Sequence, residues 1–127
     1  MNKINKRTTL LQNALKTLQE VLVENPTAIE RDAAIQRFEY CFELAWKRLK
    51  DICLIEGFVV NSPREAIKKA FIINVVHDEL TWLNMLDDRN RTSHTYLEII
   101  AEEIYNALPN YYIAFKESLD NIITKNL

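Results

Sequence analysis

An all-α fold follows from three features of this 127-residue sequence. It holds one glycine and three prolines, its apolar residues recur every three or four positions almost throughout, and helix-start signals punctuate that pattern. So little turn-forming material leaves no means of building hairpins or tight strand turns. The expected architecture is an antiparallel up-and-down helical bundle, four long helices plus one short helix, in a single domain over residues 1–127.

The first helix is expected from about Lys6 to Glu24, with Leu11, Ala14, Leu18 and Val21 on one face. Asn25-Pro26 breaks it. Thr27 and Glu30 then form a capping box, each placed to satisfy a free backbone N–H at the start of the second helix. That helix continues to about Glu56, where Gly57 suits the left-handed C-terminal position. Ala34, Phe38, Cys41, Ala45, Leu49 and Ile52 form its inward stripe. Phe42, Trp46 and Cys53 widen the stripe beyond what one packing partner requires, so these aromatic residues belong to the core and not to a base-stacking platform.

Ser62-Pro63-Arg64-Glu65 opens the short third helix, with serine as cap, proline in the first turn and glutamate closing a box. Ala66, Ile67, Ala70 and Phe71 are its apolar face. A fourth helix starts near His77-Asp78, carries Trp82, Leu83, Met85 and Leu86, and should end around Ser93. Thr95 and Glu98 predict another capping box for the last helix. Its stripe runs Leu97, Ala101, Ile104, Leu108, Tyr111, Phe115, Leu119 and Ile122, with a kink expected at Pro109.

Hydrophobic residues make up 48% of the chain and charged residues 27%, the balance of a folded globular protein. A formal net charge of −2 argues against a broad electrostatic nucleic-acid binder, so any RNA contact must be a local cationic patch. Cys41 and Cys53 lie about 18 Å apart along one helix, beyond disulfide reach, and read as buried, reduced and structural. No apolar run exceeds the five residues Tyr111–Phe115, so no membrane span and a cytoplasmic location are expected. Cysteine and histidine show no zinc spacing, and one glycine cannot build a phosphate-cradling loop; no metal or cofactor is expected.

The segment that carries chemistry is Arg89-Asn90-Arg91-Thr92-Ser93-His94-Thr95-Tyr96. Arginine offers a planar fork of donors that suits phosphate oxygens and extra negative charge in a pentavalent transition state. Histidine can take a proton from a ribose hydroxyl or give one to a leaving oxygen. Together they suffice for RNA cleavage through attack of the 2′-hydroxyl without a metal. Asn90 and Ser93 can add hydrogen bonds, Arg91 adds positive charge, and Tyr96 carries a modifiable hydroxyl. Asp87 and Asp88 can orient Arg89 or equally be exposed surface.

On a straight helix, residues five apart point about 140° away from each other. Arg89 and His94 can therefore share a site only if the helix ends between them, or if a second protomer supplies one of them across a two-fold axis. The bland alternative is an arginine and a histidine that simply complement a helix C-terminus, with Tyr96 as a packing residue. His77 reads as a helix-start residue, since only Asp78 adjoins it as an acid–base partner. Lys68-Lys69 with Arg64 is solvated surface or a modest basic patch.

Arg89-x4-His94-x-Tyr96 resembles the Arg-x4-His-x-Tyr signature of HepT-type toxins in the HEPN superfamily. Arg37-Phe38-Glu39-Tyr40-Cys41-Phe42-Glu43-Leu44-Ala45-Trp46-Lys47 is similar to the hallmark of its nucleotidyltransferase substrate-binding branch. Ser62-Pro63-Arg64-Glu65 and the run from Trp82 to Tyr96 extend the likeness to about Leu11–Leu119. The resemblance implies a homodimer and a separate small nucleotidyltransferase partner. It further implies one of two roles. In the first the protein is a metal-independent endoribonuclease toxin, with Arg89, Asn90 and His94 catalytic and Tyr96 silenced by addition of AMP. In the second it is the non-catalytic substrate-binding subunit of a two-chain nucleotidyltransferase.

Overall fold

Helix α2 is the element around which the rest of the protein is arranged. In the computed structural model, which describes residues 5–127, the helices are α1 (Lys6–Glu20), α2 (Ala28–Ile55), α3 (Pro63–Ile72), α4 (Glu79–Arg91) and α5 (Glu98–Thr124). A short 3-10 turn, Thr92–His94, links the last two, and no strand occurs among the described residues. The antiparallel bundle expected from the sequence is the fold observed. α2 packs against α1, α3, α4 and α5. This explains its broad apolar stripe: Phe38, Cys41, Phe42, Ala45, Leu49, Ile52 and Cys53 are all buried. Facing them, Phe38 stacks on Tyr111 with ring centroids 5.4 Å apart, and Trp82 meets Phe115 edge-on at 5.4 Å.

Cap chemistry sets most boundaries. The Thr27–Glu30 box forms in both directions, at 3.1 and 2.9 Å. Gly57 takes φ +91°, a conformation that strains L-residues. Ser62 caps α3 by accepting from Glu65 N–H, but the Glu65 carboxylate accepts from the Asn61 N–H, one residue earlier than a closed box requires. Phe71 is not on the buried face of α3; it is exposed, while Ala66, Ile67 and Ala70 are buried.

α1 stops at Glu20, four residues before the expected end. The cause is tertiary. The Tyr105 hydroxyl on α5 accepts from the Val23 N–H at 3.0 Å and donates to the Val23 carbonyl at 2.5 Å, drawing that segment out of helical pairing. Asn25 then turns the chain at φ 51°. α5 runs unbroken through Pro109, and no helix among the described residues is long and apolar enough to cross a membrane. Cys41 and Cys53 are free and buried, as expected, and burial pushes the Cys41 thiol up to about 12.

Candidate functional site

Two arginines two residues apart on α4 point to opposite sides of the helix, because each step turns the chain by about 100°. Arg91 turns inward. Its Nε and Nη2 donate to Asp88 Oδ1 at 3.1 and 2.8 Å, and its Nη1 donates to Glu103 Oε2 at 2.7 Å. The other oxygen of the buried Asp88 accepts from the Tyr111 hydroxyl at 2.5 Å. Burial, then this hydrogen bond, pushes the Tyr111 hydroxyl well above its usual pKa. The network ties the end of α4 to α5.

Arg89 turns toward α2. Its Nε donates to Glu43 Oε1 at 2.8 Å, with Nη2 2.6 Å from the same oxygen, and its Nη1 donates to Asn90 Oδ1 at 3.1 Å. The guanidinium carbon also lies 5.5 Å from the Phe42 ring centroid. Glu43 is held in turn, its second oxygen accepting from the Trp46 indole N–H at 3.1 Å. One helical turn earlier stands half-buried Glu39. Burial raises its carboxyl above the usual range, against the opposing pull of the nearby Thr92 hydroxyl and the charge of Arg89.

Beyond Arg91 the chain tightens. The Thr92 hydroxyl donates to the Arg89 carbonyl at 2.7 Å and the Thr95 hydroxyl to the Thr92 carbonyl at 3.1 Å. These back-bonds hold carbonyls that the ending helix leaves open. They also remove the expected Thr95–Glu98 capping box: α5 starts from Leu97 with no side-chain cap, and the Glu98 carboxylate instead accepts from Arg31 Nη1 at 2.6 Å. The turn exposes Ser93, His94 and Tyr96. His94 Nδ1 lies 3.4 Å from the Tyr96 hydroxyl, and their rings meet edge-on at 5.9 Å.

The structure thus brings His94 to Tyr96 and Arg89 to Asn90. Among the described residues, no hydrogen bond or ion pair joins Arg89 to His94 within one chain. Neither expected aspartate orients Arg89: Asp88 serves Arg91 and Tyr111, and exposed Asp87 lies 3.8 Å from Arg64. The orienting carboxylate is Glu43, 46 positions away and absent from the sequence-based site. Its one sequence signal was the Glu39-x3-Glu43 pair, two carboxylates one turn apart beside the apolar stripe of α2. His77 likewise finds a partner that sequence could not supply, Glu117 at 3.1 Å, while Asp78 caps α4 through Thr81. Lys69 is not free surface, since its ammonium sits 4.6 Å from the Phe58 ring centroid.

Residues 6–124 match the family described as nucleotidyltransferase substrate binding protein like. The chain belongs to that family. Its solved relatives include a protein of Thermus thermophilus, 39% identical, with a TM-score of 0.84 over 88% of this chain and 98% of that one. Another, from Haemophilus influenzae, is 22% identical with a TM-score of 0.77, over 91% of this chain and 98% of that one. It is described as revealing the fold of a substrate binding domain of a nucleotidyltransferase. A Haemophilus influenzae relative named probable ribonuclease HepT is 26% identical over 98 residues, 73% of this chain and 67% of that protein. Membership of the nucleotidyltransferase substrate-binding family agrees with the resemblance carried by Arg37–Lys47 and Arg89–Tyr96.

Proposed function

We propose that this protein is the HepT-like toxin of a two-gene toxin–antitoxin pair, a metal-independent endoribonuclease neutralised when a minimal nucleotidyltransferase partner adds AMP to Tyr96. The observation that carries the proposal is the exposed His94–Tyr96 pair, 3.4 Å apart on a turn that follows directly from the arginine helix. His94 is the general acid/base, Arg89 stabilises the phosphorane, and Asn90 keeps the guanidinium in register. In cleavage the ribose 2′-oxygen attacks phosphorus, its proton passes to a base, and the 5′-oxygen leaves with a proton. Ser93 is exposed and available to a phosphate. Arg91, bound to Asp88 and Glu103, holds the turn and adds positive charge beside the phosphate.

A homodimer completes the site, with Arg89 and His94 of both protomers lining one cleft. Supporting this, Leu97 and Ile99 are exposed beside the motif, an apolar edge suited to a second copy. The proposed modification has a physical logic. The Tyr96 hydroxyl attacks the α-phosphorus of ATP and pyrophosphate leaves, so the new phosphodiester stands beside the imidazole and blocks it.

The second reading, a non-catalytic subunit presenting a substrate to the nucleotidyltransferase, is favoured by the family description. Incubating the dimer with RNA, then with the partner and ATP, separates the two. A mass gain on Tyr96 with loss of cleavage supports the toxin. Transfer of AMP to a third molecule, with no cleavage by the dimer alone, supports the binding subunit.

A further inference from the structure

A groove of about 490 Å³ opens between α1 and α2 on the side of α2 that holds Arg89. Its floor is apolar, from Ala14 and Leu44. Its wall is the Tyr40 ring, about half exposed, with the Arg37 guanidinium 6.0 Å from the ring centroid. Arg37, Tyr40 and Leu44 fall on one helical stripe, so the stacking surface is set by the backbone of α2. Polar groups line the rim: Asn13, Glu39 and Glu43, with Thr17, whose hydroxyl donates to the Ala14 carbonyl and so presents only acceptor capacity. Glu43 belongs both to this rim and to the Arg89 grip. One carboxylate therefore lies between the groove and the arginine proposed to hold a phosphate.

We propose that this groove is a nucleobase subsite, which stacks a base on Tyr40 and Arg37 and selects one bearing an exocyclic amino group. Aromatic and guanidinium planes are the surfaces on which unpaired bases stack. Both oxygens of Glu43 are engaged by Arg89 and Trp46, which leaves Glu39 as the acceptor for an amino N–H. Adenine, cytosine and guanine offer such donors. Uracil offers one N–H between two carbonyl oxygens, which the two carboxylates repel. The same chemistry suits a base of RNA or the adenine of ATP. This inference rests on the reading of Arg89 as a phosphate-binding group.

The test is a titration of the intact protein, following the backbone amide resonances of Arg37, Tyr40 and Leu44. AMP and CMP are expected to shift them, UMP to do so about tenfold more weakly, and Tyr40→Ala to weaken AMP binding by about tenfold. Tyr40→Phe should restore it. Non-cleavable 2′-O-methyl oligoadenylate binding more tightly than ATP identifies RNA as the source, and the reverse order identifies ATP. No groove shifts with any nucleotide, or equal shifts from UMP and AMP, would overturn the inference. So would dissociation of the dimer by Tyr40→Ala in sedimentation, which would make the groove a contact between copies. Absence of RNA cleavage with AMP shifts intact would sink the nuclease reading alone.

Discussion

Arg89 and Arg91 share a helix and a side chain, yet they end in opposite surroundings. Arg91 binds Asp88 and Glu103, and Asp88 in turn holds Tyr111 on α5. Arg89 is held instead by Glu43 on α2 and by its neighbour Asn90. Around them Asp88 is buried, while Asn90, His94 and Tyr96 face out. A two-residue offset on a helix is enough to send one guanidinium to α2 and the other to α5. Residue type alone does not make that distinction.

Breaking the outward half should cost activity and little else. His94→Ala is expected to lower RNA cleavage by about 10²–10⁴-fold while changing unfolding free energy by less than about 0.5 kcal/mol; unaltered cleavage would remove the catalytic assignment. Breaking the inward half should do the opposite. Asp88→Ala leaves the buried Tyr111 hydroxyl and Arg91 without their shared acceptor, and urea denaturation should show a loss of about 2–3 kcal/mol. Glu43→Gln sharpens the comparison, because it keeps the shape and weakens the grip. Cleavage should fall by about tenfold, the worth of roughly one charge-assisted hydrogen bond of about 1.5 kcal/mol, with the fold intact.

Smaller effects follow from the carboxyl and thiol groups of α2. Glu39 holds its proton more tightly in the folded chain than in the unfolded one. Its contribution therefore favours folding below the usual carboxylate range and is lost as pH rises through its folded value. Glu39→Gln should be slightly more stable than the parent at pH 7, with the difference closing as pH falls into the carboxylate range; a difference that grew toward acid pH would contradict this. The smallest effect is none at all. Cys41 and Cys53, buried and with raised pKa values, should resist alkylation at pH 8 until the protein unfolds.

The bundle was legible because its signals are local. Thr27 with Glu30, Ser62 before Pro63, and the broad stripe of α2 each act within one or two turns, and each stands as expected. The failures share a cause as well. Thr95 had two backbone groups within reach, and its hydroxyl went back to Thr92. Residues 21–24 continue a helical pattern that a tyrosine 82 positions after Val23 overrides. The Glu43 and Glu117 partners of Arg89 and His77 are brought near by packing across 46 and 40 residues. Residue types at Arg89, His94 and Tyr96 could be read from the chain, whereas the groups that orient them depended on which helices touch.

The 3-10 turn at Thr92–His94 also makes the motif a ruler. Inserting or deleting one residue between Arg91 and His94 would swing the imidazole by roughly 120° about the chain axis, while the cores of α4 and α5 lie outside the altered turn. Length variants at this junction should therefore fold normally and fail chemically, so the spacing, more than the composition, of these few exposed residues is what mutation can least afford to change.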